Sequence, residues 1–181
     1  LQSLDLIENK LGRMNVDQIQ ALFTGLAQCE KLQSLELSHK DLRNMDTEEI
    51  QALCTGLISC ENLQSLNLGK NNLHNMGGKE MQTLFSGLSQ CKKLQLLDFG
   101  SNCLSHMNAD QIQDLFTGLA ACSNLQSLDL SHNYLGTMDA EKITALFSGL
   151  ASCTNLQSLD LGKNNLNNIN VPVSYTHLTL P

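Results

Sequence analysis

Leu125-Gln126-Ser127-Leu128-Asp129-Leu130-Ser131-His132-Asn133-Tyr134-Leu135 decides how the rest of the chain is read. Its frame, L-x-x-L-x-L-x-x-N-x-L, opens at Leu1, Leu32, Leu63, Leu94, Leu125 and Leu156, each start 31 residues after the last. A fixed period without insertions marks a repeat architecture. Each repeat is one supersecondary unit, and its apolar face is covered only by its neighbours.

Each repeat divides into two halves. In the first, Leu125, Leu128 and Leu130 alternate with polar residues as a short strand does. Equivalent strands of successive repeats would then pair in parallel, about 4.8 Å apart. In the second half, Ile143, Leu146, Phe147 and Leu150 form the i, i+3, i+4, i+7 stripe of a helix, as do Ile19, Leu22, Phe23 and Leu26. Asn15 with Gln18, Asp46 with Glu49, and Asn108 with Gln111 have the spacing of helix-starting capping boxes, whereas Gly77-Gly78 predicts a looser start in the third repeat. Gly25, Gly56, Gly87, Gly118 and Gly149 fall inside the helices. Glycine there costs about 1 kcal/mol relative to alanine, so its recurrence predicts close helix–helix approach. Met14, Met45, Met76, Met107 and Met138, one before each helix, read as flexible core filler.

The frame resembles the leucine-rich repeat family, over everything up to about Val171, and among its members the ribonuclease-inhibitor-like subtype, whose return element is a full helix. The resemblance implies an α/β fold: a horseshoe solenoid with a parallel β-sheet on the concave face and α-helices on the convex face. The expected domain is residues 1–171, with repeats at 1–31, 32–62, 63–93, 94–124 and 125–155 and a partial repeat at 156–171. The period of 31 is longer than the usual 20–29 of such repeats, which predicts a longer helix or a longer helix-to-strand loop.

Bulk properties narrow the function. With 18 acidic and 11 Lys or Arg residues, the chain carries −7 and a pI near 5.1. Neither nucleic acid nor an anionic membrane surface is a good partner for such a chain, and no apolar segment approaches the ~20 residues of a membrane span. Five of the seven cysteines, Cys29, Cys60, Cys91, Cys122 and Cys153, recur at one repeat position, while Cys54 replaces a phenylalanine and Cys103 stands in a loop. An odd total without C-x-x-C, and no N-x-S/T glycosylation site, fits reduced thiols and a cytoplasmic protein.

Two rows of polar residues on the strand half are the candidate partner-binding surface. The fifth position of the repeats holds Asp5, Glu36, Asn67, Asp98, Asp129 and Asp160, a stacked acidic ladder suited to a basic protein partner. The eighth holds Glu8, His39, Lys70, Ser101, His132 and Lys163, which partly offsets the acid, and Tyr134 beside it is the best single aromatic anchor. At the ninth, the resemblance implies that Asn9, Asn71, Asn102, Asn133 and Asn164 form a buried structural ladder. Lys40 interrupts that row and is expected to snorkel outward, since burying a charge is costly.

Neither catalysis nor a cofactor is expected, because no Ser-His-Asp order, P-loop or G-x-G-x-x-G is present. Nor is a metal: His39 and His132 lie three repeats apart, and His74 and His106 sit in loops with no cysteine or carboxylate at a metal-site spacing. The expectation is a non-catalytic interaction scaffold that binds a protein on its concave face. The resemblance also implies two rivals: the sensing or autoinhibitory repeats of a nucleotide-binding receptor, and a regulator of an enzyme, GTPase-activating or recognising substrates for a ubiquitin ligase.

The chain also bears marks of its history. Met-Asn-x-Asp-Gln-Ile-Gln at Met14 and Met107, Ser-His at Ser38 and Ser131, and Gly-Lys-Asn-Asn-Leu at Gly69 and Gly162 are each 93 residues apart, as duplication of a three-repeat block would leave them. Leu1 is already the first position of a repeat, so a fragment of a longer protein is expected. Residues 172–181 break the pattern, and Val173 to Pro181 resembles the conceptual translation of a sequencing adapter, a non-native tail.

Overall fold

The computed structural model describes residues 1–7 and 9–169. Within these, strands β1 (Ser3–Asp5), β2 (Ser34–Glu36), β3 (Ser65–Asn67), β4 (Leu96–Asp98), β5 (Ser127–Asp129) and β6 (Ser158–Asp160) form one parallel sheet in chain order. The register steps by one repeat, pairing Leu35 with Leu66 and Leu97 with Leu128. Helices α1 (Val16–Ala27), α2 (Thr47–Ser59), α3 (Gly78–Leu88), α4 (Ala109–Ala120) and α5 (Ala140–Ser152) alternate with the strands, each packed on the next. The sheet lines the concave face and the helices the convex one. Between them lies a core of the strand leucines, the helix stripe and the methionines Met45, Met76, Met107 and Met138.

The local devices explain the regularity. Asn15, Asp46 and Asn108 each accept from the backbone N–H three residues on, and the Gln18, Glu49 and Gln111 side chains return the bond. Asp139 caps α5 through the Lys142 N–H at 2.9 Å. At Gly77 no side chain caps the helix, and α3 is the shortest of the five described helices at 11 residues.

The helix glycines admit the preceding helix. A Cβ on Gly118 would stand 2.2 Å from the Phe85 Cβ, one on Gly149 2.2 Å from the Phe116 Cβ, and one on Gly87 2.4 Å from the Cys54 sulfur. Gly25 has nothing within 4 Å, because no helix precedes α1 among the described residues.

A short 3-10 turn stands between strand and helix in each of the five repeats whose helix is described, for example Leu73–Asn75 and Leu104–His106. Leucine spacing does not announce it, and it takes up part of the long repeat period. Ahead of it, two left-handed residues flank the ninth repeat position: Lys70 (φ 56°) and Asn72 (φ 55°) around Asn71, and Ser101 (φ 56°) and Cys103 (φ 59°) around Asn102. This conformation costs a non-glycine residue about 1–2 kcal/mol, so the bonds it permits must offset that cost.

Burial depends on having neighbours on both sides, as a one-dimensional stack requires. Leu66 is 1% exposed, whereas the equivalent Leu159 is 37% exposed. All seven cysteines are unpaired thiols. Burial pushes the thiol of Cys54 up to about 12, that of Cys91 to about 11 and that of Cys122 to about 12. No helix among the described residues is long and apolar enough to cross a membrane. The expected domain boundary after 171 and the adapter-like tail lie outside the described residues.

Candidate functional site on the concave face

The strands present their third and fifth positions on the same side, since side chains alternate along a strand. The fifth-position residues do more than stack. Each accepts a hydrogen bond from the backbone N–H two residues on: Ile7 to Asp5 at 2.7 Å, Ser38 to Glu36 at 2.7 Å, Gly100 to Asp98 at 2.8 Å, Ser131 to Asp129 at 2.7 Å and Gly162 to Asp160 at 2.6 Å. This bond, an Asx turn where the residue is Asp or Asn, fixes the exit from the strand. Asn67 makes the same bond to Gly69 at 2.7 Å, and its amide donates to the second Glu36 oxygen at 2.8 Å. One oxygen per side chain is therefore enough for the turn.

Crowding has an electrostatic consequence. Burial holds the Asp98 carboxyl above the usual aspartate range; the Asp129 and Glu36 carboxylates push it further up, against the pull of the Gly100 N–H and the Lys70 ammonium. The charge at Asp98 is thus held at some cost to the fold.

Among the described residues the eighth position of the repeats runs from His39 to Lys163, Glu8 lying outside them. Asp98 and Asp129 line one open groove together with Asn67, Lys70, Ser101 and His132. The left-handed backbone at His39, Lys70, His132 and Lys163 fixes the row, and N–H bonds between adjacent loops, such as Lys70 to the Gly100 carbonyl at 2.9 Å, hold it in register. Asp5, Glu36, Asp160, His39 and Lys163 continue these rows beyond the groove. Tyr134 is 52% exposed and lies outside the groove, at the start of the 3-10 turn, where its carbonyl accepts from Thr137.

Leucine spacing alone misses one residue of this face. Leu96, 47% exposed, occupies the third repeat position, where the other described strands have serine, two residues before Asp98. The departure of Leu96-Leu97-Asp98 from the recurrent Ser-Leu-Asp is the signal that finds it.

The ninth position behaves differently. Asn102 is fully buried: its oxygen accepts from the Asn71 N–H at 3.0 Å and the Leu73 N–H at 3.3 Å, and its amide donates to the carbonyls of Leu68 at 3.0 Å and Phe99 at 3.1 Å. Asn71, Asn133 and Asn164 repeat this pattern. Asn9 is an exception: it is exposed and bonds only to Leu6 and Ile7 of its own loop, since no described repeat precedes it.

Lys40 is a correction to the outward reading, because its side chain is buried at 0% exposure. The reason is backbone geometry. Its N–H bonds to the Asn71 oxygen at 2.7 Å, its carbonyl accepts from Gly12 at 2.9 Å, and left-handed His39 and Asp41 flank it, so the loop turns this position inward whatever residue fills it.

The structure also gathers three side chains that linear spacing does not bring together. His74, Cys103 and His106 come together, one ligand atom from each lying within 4.8 Å of the others. The two imidazoles meet edge-on with ring centres 5.1 Å apart. Burial lowers the His74 pKa, with His106 and Arg43 acting in the same direction against the Asn102 carbonyl.

Comparison with known proteins matches the Leucine Rich Repeat pattern at residues 124–149 and a second Leucine Rich repeat pattern at 59–81 and 152–169. A solved structure, the leucine-rich repeat-containing protein LegL7 from Legionella pneumophila, is similar in fold, with a TM-score of 0.62 at 24% identity over 91% of this chain. The chain has the fold of a leucine-rich-repeat solenoid. It spans 57% of the length of the Legionella protein. No curated protein matches the chain. Leucine-rich repeats generally mediate protein–protein interaction.

Proposed function

We propose that the solenoid is an intracellular protein-interaction scaffold of the ribonuclease-inhibitor-like type, docking a basic protein surface on its concave face. The observation that carries this reading is the excess of charge over structural need. Asn67 makes the same turn bond as its aspartate neighbours, at 2.7 Å, without a charge, yet Asp98, Asp129 and Asp160 stand carboxylate beside carboxylate. A cationic partner would relieve that repulsion, giving the interaction energy that crowding costs the free protein.

Leu96 adds an apolar contact beside Asp98, and Tyr134 an aromatic one near the rim. Lys70, Lys163, His39 and His132 restrict the choice of partner, because a uniformly basic surface would meet like charge along that row. The unpaired thiols support an intracellular setting.

The test begins with selection of binders to the folded solenoid from a displayed peptide library. Affinity is then measured for Asp98→Lys/Asp129→Lys/Asp160→Lys and for a helix-face control, Glu48→Lys/Asp110→Lys/Glu141→Lys, which reverses as many exposed charges on α2, α4 and α5. Basic binders that lose at least about tenfold affinity to the first variant and little to the second are expected. Equal sensitivity to the two variants, or selected binders without basic character, would remove the concave acidic row from the function.

A further inference from the structure

We propose that His74, Cys103 and His106 form a binding site for a single zinc(II) ion, at the strand-to-helix turns of the third and fourth repeats, with its fourth coordination position open to water. The site is separate from the acidic row. His74 lies on the 3-10 turn Leu73–Asn75, Cys103 immediately precedes the next turn, and His106 ends that turn. One repeat step of the solenoid therefore places a histidine of one turn against a Cys-x-x-His of the next.

The geometry needs only small adjustment. The candidate ligand atoms lie within 4.8 Å of one another. Tetrahedral zinc, with bonds of about 2.0–2.1 Å to nitrogen and 2.3 Å to sulfur, would bring them to about 3.3–3.6 Å. Rotation of the exposed His106 ring and the half-buried Cys103 side chain can supply most of that difference. His74 is already oriented. Its Nδ1 lies 3.1 Å from the Asn102 carbonyl, an acceptor only, so that nitrogen carries the proton and Nε2 keeps its lone pair. Histidine ligands of metals are commonly fixed by such a backbone bond. The Asn102 main chain that fixes His74 is itself held by the buried asparagine ladder, since its N–H bonds to Asn133 at 2.8 Å.

Donor chemistry selects the metal. Two imidazoles and one thiolate suit zinc, whereas calcium and magnesium require oxygen ligands. The nearby cations, Arg43 beside His74 and Lys142 bonded to the Ser105 carbonyl at 3.0 Å, disfavour an ion held by charge alone. Binding releases the Cys103 proton to solvent, and the sulfur lone pair forms the Zn–S bond.

The internal duplication supplies an independent observation. At the positions 93 residues away, Cys103 corresponds to Lys10, His106 to Arg13 and His74 to Asn167. The two copies thus differ at all three positions.

The test is titration of the reduced 181-residue chain with cobalt(II) as a spectroscopic probe, then displacement by zinc(II) against a chromophoric chelator. One cobalt per chain is expected, with tetrahedral d–d bands and a thiolate-to-metal charge-transfer band. Cys103→Ser should abolish that band, and His74→Ala and His106→Ala should each weaken zinc at least about tenfold. His132→Ala should leave affinity unchanged, and circular dichroism checks that every variant is folded. Absence of the thiolate band, a band that persists in Cys103→Ser, or affinity unchanged in both His74→Ala and His106→Ala overturns the site.

Discussion

Two rows of short polar side chains run the length of the solenoid at the same spacing, yet they do opposite work. The asparagines at Asn71, Asn102, Asn133 and Asn164 are buried, and both ends of each amide are used on loop backbone of adjacent repeats. The acidic residues at Asp5, Glu36, Asp98, Asp129 and Asp160 use one oxygen on their own chain two residues on. In the first row the side chain replaces secondary structure that the left-handed loop cannot form. In the second, a neutral residue would serve the fold equally, as Asn67 does. Polar chemistry fully consumed by the backbone is structure; polar chemistry left over at a surface is available for recognition.

The largest effect should come from breaking the first row. Asn102→Ala removes acceptor bonds to the Asn71 and Leu73 N–H groups and donor bonds to the Leu68 and Phe99 carbonyls, leaving buried backbone groups unpaired. A loss of about 3 kcal/mol or more in urea unfolding is expected; a loss under about 1 kcal/mol would place the row outside the structural accounting.

Asn9, exposed and bonded only within its own loop, sharpens the same contrast. Asn9→Ala should cost about 1 kcal/mol or less in the same assay.

On the second row the effects move from stability to binding. Leu96→Ser restores the residue found at this position in the other described strands, so unfolding should barely change while affinity for a concave-face binder falls by about 1 kcal/mol, roughly fivefold. Calorimetry with the selected binder checks both the sign and the size. A stability loss instead would make Leu96 part of the core.

The smallest effect is a pH dependence. Asp98 has a raised value in the folded state, so the native protein holds that proton more tightly than the unfolded chain does. Its contribution to stability therefore falls as pH rises from the ordinary aspartate value through the raised one. Asp98→Asn should remove this component, and its stability relative to the parent should grow between about pH 4 and pH 7. Urea titrations across that window measure it, and a relative stability that shrinks with pH would reverse the assignment.

How much of this was legible follows from what the period encodes. The constant step announced the parallel register, the helix stripe and the close approach at Gly118 and Gly149, because all three depend on residue spacing. Backbone dihedrals were not legible. The left-handed pairs around the ninth position decide that Lys40 points inward, against the expectation from its charge alone. The turn bonds of the acidic row escaped for the same reason. Linear spacing alone does not bring His74, Cys103 and His106 together. In a stack, residues about one repeat apart are neighbours, and adding 31 to His74 gives Ser105, between the other two.

On the proposed function, the concave acidic row carries charge that the fold does not need and a partner does. Asp98→Asn/Asp129→Asn/Asp160→Asn tests it most directly, because asparagine keeps the turn bond, as Asn67 does, and removes only the charge. Thermal unfolding and affinity for the selected basic binder are measured on the same samples. An unfolding midpoint that is unchanged or higher is expected, with affinity reduced at least about tenfold. Unchanged affinity in a folded triple variant would contradict it.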